Sequence, residues 1–157
     1  MPPPRHRIET EIVVPRGLDE VFAFFSDAHN LDELTPPWLR FHVLTPRPVP
    51  MHVGARIDYR LRIRGLPIRW QSEITAWEPP WRFVDEQRRG PYRLWHHEHL
   101  FESVPGGTRI VDRVDYAVAG WVLEPLVHRV FVRPDVERIF RYRGERLAER
   151  FARPSAA

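Results

Sequence analysis

Two histidines two residues apart, His97 and His99, stand in the segment GPYRLWHHEHLFE (residues 90–102), and side chains at i and i+2 of a strand share one face. Such a pair supports three kinds of chemistry. With two carboxylates it can ligate a divalent metal. With an aspartate that orients one imidazole and moves its pKa, it can act as a general acid and base. Paired with each other and with carboxylates, the same groups can simply fix a sheet register and give a pocket a few oriented polar contacts. Ser72 is the nearest inward hydroxyl and Ser103 lies at a strand end, so neither stands as a nucleophile. Proton transfer on a bound carbonyl compound therefore suits the segment better than acyl transfer.

Composition narrows the field. The chain has 157 residues, one ordinary domain, and its nine Phe, six Trp and four Tyr suffice for a core. All 24 basic residues are arginine, which removes any lysine Schiff base. The net charge is only +3 and acidic residues are interspersed, so no nucleic-acid partner is expected. The absence of cysteine excludes disulfides, thiolate metal sites and cysteine nucleophiles. No apolar h-region follows the basic start, and no apolar run approaches the roughly 18 residues of a membrane span. A cytoplasmic protein without stable membrane insertion is the expectation.

The elements that must position the histidines read in order. RIETEIVV alternates, with Ile8, Thr10, Ile12 and Val14 on one face, and ends at Pro15. A helix starts near Leu18, with Asp19 and Glu20 in its first turn and Val21, Phe22, Phe24 and Phe25 as its apolar positions. A short helical piece over 30–35 stops before Pro36 and Pro37. About six strands follow as an antiparallel meander with turns at RGLP, EPPW, RGPY and VPGG. From Leu123 to Phe151 helical spacing takes over, through Leu126, Val127, Val130, Phe131, Val136, Ile139, Phe140, Leu147 and Phe151, and Pro134 should kink or restart this helix. The expected fold is α+β: a curved antiparallel sheet of six to seven strands wrapped around a long C-terminal helix, with two short helices after the first strand. It forms a single domain over 7–152, with frayed tails at 1–6 and 153–157.

Treating the turns as four-residue units fixes a register. Leu61 then faces Trp70, Tyr59 faces Ser72, Ala76 faces Phe83 and Ile74 faces Asp85. Trp95, His97, His99 and Phe101 point inward, with His96 and Glu98 outward. Ile110 lies opposite Phe101, Asp112 opposite His99 and Val114 opposite His97, with Asp85 on the other side of His97. The inward set thus gathers both histidines between Asp85 and Asp112, among Tyr59, Trp70, Trp95 and Tyr116. Arg60, Arg62, Arg64 and Arg69 form an outward basic face, and Trp38 in TPPWL serves either as a pocket rim or as a core plug.

TPPWLRF, WEPPWRFVDEQ, GPYRLWHHEH and GGTRIVDRVDY resemble the SRPBCC or START-like superfamily of helix-grip, polyketide cyclase-like proteins, in particular a bacterial ligand-binding subgroup. The resemblance covers residues 7–151. It implies a deep cavity between sheet and C-terminal helix that holds an apolar small molecule such as a lipid, polyketide or isoprenoid, in a carrier, a sensor or a cyclase. It carries over onto Trp95, His97, His99, Phe101, Asp112 and Tyr116. The expected ligand contacts are therefore Tyr59, Leu61, Trp70, Ser72 and Gln87, then Trp95, His97, His99, Phe101, Asp112 and Tyr116, with Phe131 from the helix. If the protein is an enzyme, a cyclase, dehydratase or isomerase, then His97, His99, Asp112 and Asp85 move the protons. No cofactor and no bound metal are expected; a partner enzyme that receives the ligand is a further expectation.

Overall fold

The computed structural model describes residues 5–118 and 123–152. Strand β1 (His6–Val14) leads into α1 (Leu18–Phe25), a 3-10 turn (Ala28–Asn30), α2 (Leu31–Leu34) and a second 3-10 turn (Pro37–Leu39). Six strands follow: β2 (His42–Val43), β3 (Arg56–Ile63), β4 (Leu66–Glu78), β5 (Arg82–Arg89), β6 (Leu94–Val104) and β7 (Gly107–Ala117). The chain closes with α3 (Glu124–Val127), a π-helical turn (His128–Val132) and α4 (Arg133–Phe151). The strands form one curved seven-stranded antiparallel sheet in the order β1-β7-β6-β5-β4-β3-β2, so the first strand closes against the last. Its concave face is covered by α4 and the short N-terminal helices, because an antiparallel sheet with one apolar face must bury that face.

The core has two parts. At one end Phe22 and Phe25 of α1 meet Phe83, Phe101 and Trp77 of the sheet, with ring centroids 5.1–6.0 Å apart. At the other, Val136 and Phe140 of α4 pack on Val114 and Tyr116. The cavity described below opens between them.

The register departs from expectation at two turns. The β3–β4 connection is a two-residue turn rather than RGLP: Arg64 and Gly65 take φ of 49° and 81°, the left-handed pair that matches strand twist. Leu61 therefore faces Ile68 and Tyr59 faces Trp70. A shift of two residues leaves every side chain on its expected face. In the second, Glu78 pairs with Arg82, and a bulge between Ile74 and Ala76 restores Ile74 opposite Asp85. The bulge turns Trp77, in place of Ala76, into the core, where it pairs with Phe83. VPGG behaves as read: Phe101 faces Ile110, His99 faces Asp112 and His97 faces Val114. Gly107 is required there, since a methyl group on it would sit 1.9 Å from the Val14 carbonyl oxygen of β1.

Two further differences matter for function. His6, grouped with the tail by sequence, is the first residue of β1 and pairs with Tyr116. In the terminal helix, Leu126, Val130 and Phe131 are 54%, 46% and 47% exposed, while Glu124 and His128 are buried. The π-helical turn before Pro134 explains this, because one extra residue in a turn rotates what precedes it by about 100° relative to α4. Trp38 is not a core plug: it is 44% exposed, lies under the Arg138 guanidinium and meets the edge of Tyr142, while its neighbour Leu39 is buried. No helix among the described residues is long and apolar enough to cross a membrane.

Candidate functional site

Alternation puts His97 and His99 of β6 on the concave face, and the adjacent strands deliver one carboxylate from each side, Asp85 from β5 and Asp112 from β7. His97 Nε2 donates to Asp112 Oδ1 at 2.8 Å, and His99 Nε2 donates to Asp85 Oδ2 at 2.6 Å. Each histidine thus bonds the carboxylate diagonal to it rather than the one its backbone pairs with. The two imidazoles stack at 3.7 Å, Phe83 lies over the other face of His99 at 4.0 Å, and the edge of Phe140 meets His97 at 5.6 Å.

The group that completes this cluster is Arg143 of α4. Its Nε donates to Asp112 Oδ2 at 2.9 Å and its Nη2 to Oδ1 at 3.1 Å, and both side chains are under 10% exposed. Asp112 is therefore shared by a guanidinium and an imidazole. Burial alone would raise its pKa, but Arg143 and the two histidines outweigh burial and hold it well below the ordinary carboxylate range. Asp85 is also held below that range, with burial opposed by the His99 hydrogen bond and by His97.

The histidines diverge. Burial pushes His99 down, but Asp112 and Asp85 on either side raise it overall. Burial and the charge of His99 push His97 down despite its bond to Asp112. Two carboxylates, one guanidinium and one imidazolium sum to zero, the arrangement a buried cluster tolerates best. The assignment is His99 cationic and His97 neutral. Neutral His97 donates from Nε2, so its Nδ1 is a bare acceptor, 3.8 Å from Asp85 Oδ2. His99 Nδ1 is buried without a hydrogen-bond partner, 3.4 Å from Asp112 Oδ1 but poorly aimed at it. The site therefore holds an acid and a base on adjacent rings.

A pH titration tests this directly. The His99 ring should titrate above the ordinary value near 6.5 and the His97 ring below it, read from ring C–H shifts in NMR. The His99 contribution to stability is complete below about pH 6.5 and lost as pH rises through its folded pKa; that of neutral His97 is lost as pH falls from about 6.5 to its folded value. Asp85→Asn should lower the His99 pKa; an unchanged value would remove Asp85 as its partner.

Both histidines, Asp85 and Arg143 face a cavity of about 180 Å³ between the sheet and α4. Its other walls are largely apolar. Of the expected contacts, Tyr59, Leu61, Trp70, Ser72 and Trp95 line it too. Trp70 Nε1 donates to Ser72 Oγ at 3.0 Å, and Trp70, Tyr92 and Trp95 form one aromatic wall.

Five expected contacts fall elsewhere. Gln87 is committed to the β5–β6 turn, where its amide donates to the Tyr92 carbonyl and accepts from the Tyr92 N–H. Phe101 lies in the Phe22 and Phe25 core, one strand pair beyond His99. Asp112 is buried behind the histidines rather than in the cavity wall. Tyr116 points to the base of the terminal helix, with its hydroxyl 2.7 Å from His128 Nε2. Phe131 is half exposed under Arg64, turned outward by the π-helical turn. Arg143, Phe140, Ile139 and Phe41 line the cavity in addition, beyond the contacts expected from sequence. Asp85, His97 and His99 have three donor atoms close enough to hold a metal ion. Both Nε2 atoms, however, already donate to carboxylates, and Arg143 supplies positive charge beside them.

Comparison with known proteins agrees with this architecture. The family model for polyketide cyclase/dehydrase and lipid transport matches residues 5–152. The Zhui aromatase/cyclase from Streptomyces sp. R1128 superposes with a TM-score of 0.74 at 18% identity, over 98% of this chain and 99% of that one. Ginseng major latex-like protein 151 from Panax ginseng gives 0.68 at 10% identity, over 94% and 97%. TTHA0849 from Thermus thermophilus gives 0.63 at 19% identity, over 93% and 98%. No curated protein sequence matches the chain. At these identities the structures establish the fold, and the family match establishes membership: the chain belongs to the polyketide cyclase/dehydrase and lipid-transport family of the SRPBCC superfamily.

Proposed function

We propose that the cavity encloses a compact apolar molecule, ring-containing or isoprenoid-like, with one carbonyl or hydroxyl directed at His97, His99 and Arg143. The observation that carries this reading is the division of the cavity: aromatic and aliphatic walls, with the charged cluster confined to one region. A volume of about 180 Å³ is small beside the roughly 300–1,000 Å³ of drug-sized sites. It accommodates a ring system rather than a whole lipid, so a long tail must leave through the opening. In the carrier reading the cluster anchors the polar end by hydrogen bonds. A bound ligand should appear as organic mass in native mass spectrometry that is lost on denaturation.

A ligand present at a hundred times its Kd stabilises the folded state by about 2.7 kcal/mol, roughly 5–11 °C in Tm for a chain of this size. A panel of polyphenols, tetralones, isoprenoids and fatty acids should contain such ligands. Ile139→Trp, which places an indole in the cavity wall, should remove the shift without lowering the stability of the free protein. If no compound shifts Tm, or if the shift survives Ile139→Trp, this cavity is not the binding site.

The second reading is catalytic, and the adjacent neutral and cationic imidazoles favour it. Neutral His97 would take a proton from the carbon next to a bound carbonyl. His99 would protonate the carbonyl oxygen to give an enol, or a β-hydroxyl that departs as water to give an enone. A cyclase, dehydratase or isomerase would use these steps on the same bound ligand.

A further inference from the structure

A second cluster of ligating side chains lies at the base of the terminal helix, outside the wall of the cavity. His6 opens β1, Glu124 opens α3 and His128 opens the π-helical turn. Glu124 and His128 are four residues apart in one helical stretch, which sets them on the same face. The pairing of His6 with Tyr116 brings the start of β1 beneath them. His6 Nε2 lies 2.6 Å from Glu124 Oε1, and the rings of His6 and His128 stack at 3.4 Å with only 9° between their planes. One ring nitrogen from each histidine and one carboxylate oxygen lie within 4.8 Å of one another.

Three features distinguish this cluster from an ordinary hydrogen-bonded group. Glu124 is a carboxylate only 2% exposed whose hydrogen-bond partner among the described residues is His6, with no guanidinium on it of the kind Arg143 provides for Asp112. The helix also adopts its π-helical turn where His128 enters the cluster, a rare distortion that recurs at functional sites. Tyr116 anchors the His128 ring by a hydrogen bond from a neighbouring strand, as groups behind metal-ligating histidines do.

We propose that His6, Glu124 and His128 form a divalent transition-metal site of the zinc type that ties the first strand to the base of the C-terminal helix. Zinc takes imidazole nitrogen and carboxylate oxygen at roughly 2.0–2.2 Å, which requires the donors to stand about 3.3–3.5 Å apart in a tetrahedron. The cluster reaches that spacing when the His6 and Glu124 atoms move apart from 2.6 Å by under about 1 Å, the His128 nitrogen closes in from within 4.8 Å, and the two rings tilt out of their parallel stack, since an imidazole nitrogen ligates in its ring plane. Three protein ligands leave the fourth position to water. The proposal is independent of what the cavity binds.

The test is a zinc titration of the full chain after chelator treatment, by calorimetry, with cobalt(II) absorption reporting coordination geometry. The expected result is one equivalent bound, a rise in Tm, and cobalt bands of four- or five-coordinate type. His6→Ala and Glu124→Gln should each weaken binding roughly a hundredfold, while His99→Gln should bind like the parent chain. His6 sits at a strand end and is partly exposed, so His6→Ala retains the fold and decides the matter should Glu124→Gln fail to fold. Absence of stoichiometric binding, or binding that survives His6→Ala, overturns the proposal. Loss of binding in His99→Gln alone also overturns it and moves the metal to the cavity cluster.

Discussion

Arg143→Met should destabilise the protein by about 3–5 kcal/mol, a fall in Tm of roughly 6–20 °C, measured by chemical denaturation and calorimetry. The size follows from what is left behind. Asp112 is 4% exposed, and without the guanidinium its carboxylate keeps the hydrogen bond from His97 and the charge of His99 at 3.4 Å, which Asp85 shares. It must stay charged at a large desolvation cost or take up a proton, because burial raises its pKa and Arg143 is the largest influence that opposes burial. An exposed pair such as Arg7 with Asp115 would contribute no more than about 1 kcal/mol. The double variant Arg143→Met with Asp112→Asn should recover much of the loss, since no uncompensated charge then remains. The coupling from that cycle separates the pair from the packing of the arginine stem. A loss below about 1 kcal/mol for Arg143→Met would mean that Asp112 is solvated, and that the charge balance assigned to the cluster is wrong.

Arg143 also marks where the sequence stops being readable. Along β6 and β7 the period of two settles which side chains share a face, and a turn such as VPGG, with proline and then glycine at its centre, fixes the partner strand, so Asp112 and both histidines can be brought together from the chain alone. The helix carries a signal too. Val136, Phe140, Leu147 and Phe151 form its buried stripe, and Arg143 occupies the stripe position between Phe140 and Leu147. An arginine on an apolar stripe opposite an inward aspartate asks for that partner. What periodicity does not supply is how far a helix slides along a sheet, which depends on packing between residues distant in sequence.

Local conformation limits the rest. The left-handed Arg64 and the bulge before Ala76 are backbone choices made by sheet twist, and neither residue type demands them. The π-helical turn has no composition signature, yet it turns Phe131 outward and His128 inward. Strand parity alone makes Gln87 a pocket group, while its amide is drawn to the Tyr92 backbone because a turn leaves those polar groups unpaired. Glu124 and His128 carry helical spacing in the sequence itself; the missing piece is His6, which falls beside the proline-rich start although it continues the alternation of β1 by one step.

The acid/base reading predicts that the protein accelerates exchange of the α-protons of a bound cyclic ketone, with 2-tetralone in deuterated buffer as the probe and NMR as the readout. Exchange needs only the first half of any cyclase, dehydratase or isomerase reaction: a base removes the carbon-bound proton while an acid stabilises the developing enol oxygen. In that reading the base is His97 through Nδ1 and the acid is His99, which lines the cavity beside Asp85. His97→Gln keeps a side-chain donor for Asp112 and removes the base. It should slow exchange by about 10²–10⁴-fold while changing ketone affinity by less than about tenfold, since a residue that acts only in proton transfer affects the rate and not the binding. His99→Gln should lose a comparable factor, and in addition the acceleration should fall as pH rises through the raised His99 pKa. A carrier gives a different pattern. Its ketone binds, exchange stays at the buffer rate, and both variants alter affinity alone, because the imidazoles then serve only to hold the carbonyl. Saturating binding without exchange would therefore discard the enzyme and leave the carrier.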